Sequence, residues 1–220
     1  MEKFMGVIRG SAVFAGMSED EIKRIEGCLV PRIADYPKNS YVLRAGEPAP
    51  SVCLVLSGAV HVVQEDFWGN RNIMAKIGPS DIFGESYACV RGAVLAVGVV
   101  AVEPAKIMFL DAGRITRTCQ SACSFHARLI SNLLTVLAEK NLTLNAKFMH
   151  ITQRSTRDKL LSYLSAEAAD HKSSSFEIPF NRQQLADYLS VDRSAMSNEL
   201  CKLRDEGVLR FDKNKFELLA

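Results

Sequence analysis

The stretch from Asn181 to Gly207 constrains this 220-residue chain more than any other. Asn181 followed by Gln184 is a helix-opening signature, because the two side chains can satisfy each other's free backbone N–H groups. Leu185, Ala186 and Leu189 then give a short helix one small apolar face. Ser190-Val191-Asp192 supplies a tight turn, and Asp192 can cap a second helix. Met196, Leu200 and Leu203 recur at helical spacing, so that face points inward. Arg193, Ser194, Ser197, Asn198 and Lys202 remain on the other face. A short polar face on the second helix of such a pair is suited to a DNA major groove.

Gly207 stops the second helix. Val208–Phe211, a turn at Asp212–Asn214 and Lys215–Leu219 read as a β-hairpin, and Ser175–Phe180 reads as a strand just before the helices. Two helices flanked by such strands form a winged helix-turn-helix; the alternative is a purely structural αα-hairpin. The segment Ile178–Leu219 resembles the DNA-binding domain of the CRP/FNR family of bacterial transcription regulators. The remainder resembles that family's sensor domain. The resemblance implies double-stranded DNA with a palindromic operator, a second copy of the chain and RNA polymerase as partners. Arg182, Gln183, Arg193, Ser194, Ser197, Asn198, Lys202, Lys213 and Asn214 are its expected DNA contacts.

Composition sets outer limits. The net charge is +2 and 48% of residues are hydrophobic. From His150 onward 11 Lys and Arg face 11 Asp and Glu, so any attraction to phosphate depends on local placement rather than bulk charge. No apolar run approaches a membrane span, and Met1–Gly6 carries no export signal. Six cysteines, at 28, 53, 89, 119, 123 and 201, are scattered rather than paired. Reduced thiols in a cytoplasm fit that pattern.

Before the DNA-binding segment the chain reads as an α+β sensor. A short helix lies within residues 11–30, capped by Ser18 with Glu21. Residues 32–110 turn to short strands: Ser40–Leu43, Val52–Leu56, Ala59–Gln64, Asn72–Ile77 and Leu95–Leu110, with Gly69-Asn70 as a hairpin turn. Short strands with glycine turns at this spacing predict a β-barrel or a β-sandwich. The Gly46-Glu47, Leu56–Gly58, Gly78–Asp81 and Phe83–Glu85 segments resemble the family's antiparallel jelly-roll, cyclic-nucleotide-binding-like barrel. Asp111–Cys119 reads as a short helix. A long helix follows over about 124–149, with Ile130, Leu133, Leu137, Leu144 and Phe148 as an apolar stripe broken at Lys140-Asn141. Such a stripe fits a coiled-coil partner, where a polar break can fix register, or a helix packed only on its own barrel; the resemblance favours the family's central dimerisation helix. The expected domains are therefore 1–149, with the dimerisation helix, and 150–220, joined at His150–Arg154.

In cyclic-nucleotide receptors that this barrel resembles, a Glu after Phe-Gly holds the ribose. An Arg and a Ser or Thr, ten and eleven residues later, grip the phosphate. Here Phe83-Gly84-Glu85 is present, with Ser86 following, but the later positions are Leu95 and Ala96. Neither side chain can donate a hydrogen bond. Arg91 stands only six residues after Glu85. Phe83, Gly84, Glu85, Ser86, Arg91, Leu95 and Ala96 therefore outline an effector pocket for a small molecule other than cyclic AMP.

Other chemistries are thinner. Cys119, Cys123 and His126 lie close together and offer a redox- or metal-responsive alternative; the plainer reading is buried thiols. Four histidines, at 61, 126, 150 and 171, form no zinc motif. A cupin-type enzyme needs clustered His and Glu ligands, and the barrel holds only His61. No catalytic residue, metal ligand set or resident cofactor is assigned.

Overall fold

The computed structural model describes residues 2–65, 68, 71–116 and 124–219. The chain forms two compact units, Met1–Ala138 and Glu139–Ala220. The expected Gly69-Asn70 turn and the cysteines at 119 and 123 lie outside the described residues.

The first unit opens with helices α1 (Met5–Gly10) and α2 (Glu19–Leu29). Ser18 and Glu21 close the expected capping box on α2. Strands β1 (Arg32–Tyr36), β2 (Tyr41–Leu43), β3 (Ser51–Ser57), β4 (Val60–Glu65), β5 (Arg71–Ile77) and β6 (Ile82–Phe83) follow, then a one-turn helix α3 (Glu85–Ala88). Strands β7 (Gly98–Ala101) and β8 (Ala105–Asp111) complete the sheets. One antiparallel sheet has the order β1-β8-β3-β6 and the other β2-β7-β4-β5. The single run expected over Leu95–Leu110 is two strands, because Val102–Pro104 turns the chain between sheets and Pro104 has no N–H to continue a ladder. Gly58 (φ 75°) makes the β3–β4 turn, where a Cβ would collide with the Pro104 carbonyl oxygen.

Strand β3 explains why its sequence is apolar without alternation. Val52, Leu54 and Leu56 face a helical layer formed with Ile8, Phe14, Ile22 and Ile25. Cys53 and Val55 face the opposite way, into the space between the two sheets, with Val60, Val99, Ile107 and Phe109. A strand buried on both faces has no polar side to show.

Helix α4 (Ala112–Thr116) ends the sheet region, and the long helix α5 (Ser124–Ile151) follows. Leu129, Leu133 and Val136 of α5 are buried in the helical core of their own unit, with Ile130 and Leu137 packed at its margin.

The second unit contains α6 (Thr156–His171), β9 (Ser175–Glu177), α7 (Arg182–Leu189), α8 (Arg193–Asp205), β10 (Leu209–Asp212) and β11 (Lys215–Leu218). The strands form one antiparallel sheet, β10-β11-β9. The core joins Leu160 and Leu164 to Leu185, Leu189, Met196, Leu200 and Phe216. The chain is thus α+β, with paired antiparallel sheets, a long helix and a winged helix-turn-helix. Among the described residues, no helix is long and apolar enough to cross a membrane.

Candidate functional site

The helix pair α7–α8 is built as its sequence dictates. Asn181 and Gln184 form both bonds of a capping box. The turn places Ser190 in the left-handed region (φ 53°), where Lys159 from α6 reaches the carbonyls of Leu189 and Ser190 at 3.4 and 3.3 Å. That ammonium meets the negative end of α7. Asp192 accepts from the Ala195 N–H at 2.8 Å and starts α8. At the other end Val208 donates to the Leu203 carbonyl and Gly207 to Arg204, the paired bonds of a Schellman stop.

With Met196, Leu200 and Leu203 fully buried, helical geometry fixes the outward line of α8. It runs through Ser194, Asn198 and Cys201, flanked by Lys202 and Ala195; all five are exposed, as is Arg193 at the first position of the helix. Sequence reasoning missed Ala195 and Cys201, although both follow from taking the buried triad as the helix's inner face. Ser197 is half-buried, and its hydroxyl donates to the Arg193 carbonyl at 2.9 Å.

Several expected DNA contacts have other work in this fold. The Arg182 guanidinium lies 4.8 Å from the Phe211 ring and 5.1 Å from the Phe216 ring, and burial lowers its pKa. It secures the wing to α7. Asn214 donates to Glu177 at 2.8 Å and to the Ile178 carbonyl at 3.2 Å, so it ties β11 to the entry strand rather than projecting from it. Gln183 donates to Asp187 at 2.8 Å. Lys202 is exposed but sits 3.2 Å from Glu199. Arg157 meets Glu206 at 2.6 Å and Glu199 at 3.4 Å, which clamps α8 onto α6. Arg193 and Lys213 are exposed and, among the described residues, form no ion pair. Lys213 stands at the wing tip with φ 52°.

The sensor interior differs from a nucleotide site. Gly84 turns with φ 78° to start α3, and Phe83 and Glu85 are buried at 3% and 5% exposure. Leu95, where the resemblance expects a phosphate-binding Arg, is 4% exposed. Its N–H and carbonyl are both engaged, with Glu47 and Gly46. Ala96 and Ser86 face solvent. Burial pushes the Cys53 thiol up, with the Glu85 charge adding to the shift. That thiol stays protonated and inert. Arg91 does not join Glu85. It lines a separate cleft of about 560 Å³ with Tyr87, Cys89, Asp111 and Thr116.

The α5 stripe needs one correction. Leu133 is 3% exposed within its own unit and is unavailable to a partner. Leu134, one residue on, is 62% exposed, and Leu144 and Phe148 are 65% and 63% exposed. Ile130, Leu134, Leu137, Asn141, Leu144 and Phe148 recur at alternating steps of four and three. That heptad spacing was the signal separating Leu134 from Leu133. His150, expected in the hinge, is a helical residue buried at 7% exposure; the loop between α5 and α6 begins at Thr152.

Near the start of α5, His126 is 4% exposed. Its Nε2 lies 2.8 Å from the Ile115 carbonyl, which can only accept, so Nε2 carries the proton. The buried Nδ1 has no hydrogen-bond partner among the described residues. No group of three metal-ligating side chains forms among the described residues.

Comparison with known proteins agrees with this architecture. Residues 33–122 match the cyclic nucleotide-binding domain family, and residues 158–220 match the Crp-like helix-turn-helix domain. The cyclic AMP receptor protein of Thermus thermophilus is 24% identical over 96% of this chain and 94% of its own length. The cAMP-activated global transcriptional regulator CRP of Pasteurella multocida is 23% identical over 80% of this chain and 85% of its own. The c-di-GMP-responsive global regulator CLP of Xanthomonas campestris superposes with a TM-score of 0.56 at 19% identity, covering 92% of this chain and all of that one. A cyclic-nucleotide-binding-type sensor followed by a Crp-like reading head, matched to transcription regulators rather than enzymes along nearly its whole length, places this chain in the CRP/FNR family of transcription regulators.

Proposed function

We propose that this regulator works in the cytoplasm as a homodimer on a palindromic operator, under the control of a small effector other than cyclic AMP. The observation that carries the DNA reading is the outward line of α8, where Ser194 and Asn198 stand clear of a fully buried Met196–Leu200–Leu203 face. Arg193 is exposed at the first position of α8, and Lys202 and Lys213 supply phosphate contact with little sequence preference. The seam through Leu134, Leu137, Asn141, Leu144 and Phe148 supplies the second copy. Asn141 accepts from Asn145 at 2.9 Å on its own helix, and a polar residue at such a position sets register at some cost in stability. RNA polymerase is a further partner that the family membership suggests.

The relatives are named for cyclic AMP or cyclic di-GMP. In this chain the position for the phosphate-gripping Arg is a buried leucine whose backbone is fully engaged. An anion placed there would lose the charge-assisted hydrogen bonds on which such sites depend. Phe83, Glu85 and Leu95 are each buried, which suits a less polar effector better than a phosphate, and Arg91 offers its charge only in the outer cleft. Two sites coupled through a helix pair with two arrangements give the physical basis for allosteric control.

One observation favours a second reading of the sensor. A buried histidine whose Nε2–H is fixed by a carbonyl, leaving Nδ1 as a lone pair, has the second-shell arrangement of a metal ligand. Cys123 and Cys119 precede His126 by three and seven residues. Metal analysis of protein purified with its thiols intact separates the two readings: bound metal lost in His126→Ala supports the metal switch, and metal-free protein supports the small-molecule sensor. The primary reading is tested by recovering a binding site from random duplex DNA and measuring stoichiometry by sedimentation. Two protomers on one two-fold symmetric site are expected; one protomer on an asymmetric site contradicts the reading.

A further inference from the structure

Within the second unit, the last turn of α5 is held against α6 and α7 by a titratable side chain. His150 Nδ1 lies 2.8 Å from the Ser162 hydroxyl of α6. Its ring meets Tyr163 edge-on, with centroids 5.7 Å apart and planes at 84°, and lies 6.5 Å from the Tyr188 ring of α7. Tyr188 also packs against Phe180 at 5.0 Å and Tyr163 at 5.4 Å. Two residues after His150 the helix gives way to the loop that leads into α6. His150 is therefore the last buried residue of α5 and the point where three helices meet.

We infer that His150 is a pH-released latch, which in its neutral form holds the end of α5 against α6 and α7 and on protonation lets that junction open. The inference rests on the reading that α5 transmits the sensor's state to the DNA-binding unit. The groups facing the imidazole are the Ser162 hydroxyl, the Tyr163 and Tyr188 rings and the Glu167 carboxylate of α6; on its own helix Lys147 stands 5.3 Å from the Tyr188 ring. Both tyrosines stay neutral, because burial raises their pKa values further. Burial lowers the His150 pKa, and this outweighs the opposing pull of Glu167. The latched state therefore binds its proton less readily than the opened one. A group depressed in this way loses its contribution as pH falls below the exposed-histidine value of about 6.5. The latch is fully closed above that value and weakens between it and the lower, buried pKa.

The test is amide hydrogen exchange of the full-length protein across residues 147–156, corrected for intrinsic rates, together with NMR titration of the His150 imidazole. Lowering the pH from about 7.5 to about 5.5 should raise the open population of this segment up to about tenfold in wild type. His150→Phe, which keeps a ring but cannot titrate, should show no such rise. An equal rise in His150→Phe overturns the latch, as does an imidazole that titrates at or above about pH 6.5. If His150→Phe does not fold, the wild-type titration decides alone. Neither measurement involves DNA, so loss of the latch and loss of the DNA reading are distinguishable.

Discussion

The two units treat their family's polar recognition positions in opposite ways. In the first unit, Leu95 is buried and Ala96 exposed where the family resemblance expects a phosphate-gripping pair, while Gly84 still turns with φ 78° between Phe83 and Glu85. In the reading head, the outward line of α8 is polar in its N-terminal half, where Ser194 and Asn198 are exposed. A fold depends on its buried faces and its turns, and both units retain these. Ligand chemistry depends on a few side chains, which can be lost without disturbing either.

The sharpest separation of scaffold from surface lies at neighbouring residues of α5. Leu133→Ala should destabilise the first unit by about 2–5 kcal/mol, because it empties a buried site. Leu134→Asp should leave that unit's unfolding nearly unchanged but place a carboxylate in the proposed seam and dissociate the dimer. Thermal unfolding and sedimentation read the two effects. A monomeric wild type at micromolar concentration would contradict the seam outright.

Calorimetry with cyclic AMP tests the sensor side. Binding should be weaker than about 100 µM, a free energy of no more than about 5.5 kcal/mol, because the phosphate meets Leu95 and Ala96. Micromolar or tighter binding would show that other groups take over, with Arg91 the first to examine.

The smallest expected effect is at the rim of the reading head. Lys202→Ala should weaken every DNA sequence alike and reduce the salt slope of binding by about one per protomer. The loss is modest because Lys202 already shares its charge with Glu199 at 3.2 Å. A change confined to one base pair would instead mean that Lys202 reads sequence.

Much of this was legible in the chain. Capping residues announce themselves locally, so the starts of α2, α7 and α8 follow from Ser18, Asn181 and Asp192 alone. Strand β1 and helix α1 were not separable, because Arg32–Tyr36 has no clear alternation and Met5–Gly10 is short and ends in glycine. At the candidate sites, residue type and spacing identified which groups face outward but not what else they touch. Arg182 and Asn214 look like DNA contacts in sequence. The stacking of Arg182 on Phe211 and Phe216 and the bonds from Asn214 to Glu177 and Ile178 depend on how the wing folds back on α7. Leu133 and Leu134 differ by one position on a helix; the alternating four-and-three spacing through Leu134 was there to separate them, and the core behind Leu133 shows the outcome.

On the outward line of α8, Asn198 is the side chain best placed to read a base. An asparagine pairs best with the N6 and N7 edge of adenine, whereas an arginine reads guanine. In vitro operator selection with wild type and Asn198→Ala should differ at one base pair per half-site, an A·T in the wild-type preference, with a loss of about 1–3 kcal/mol for the variant on the wild-type site. Identical sequence preferences for the two proteins would show that Asn198 reads no base and would contradict the account.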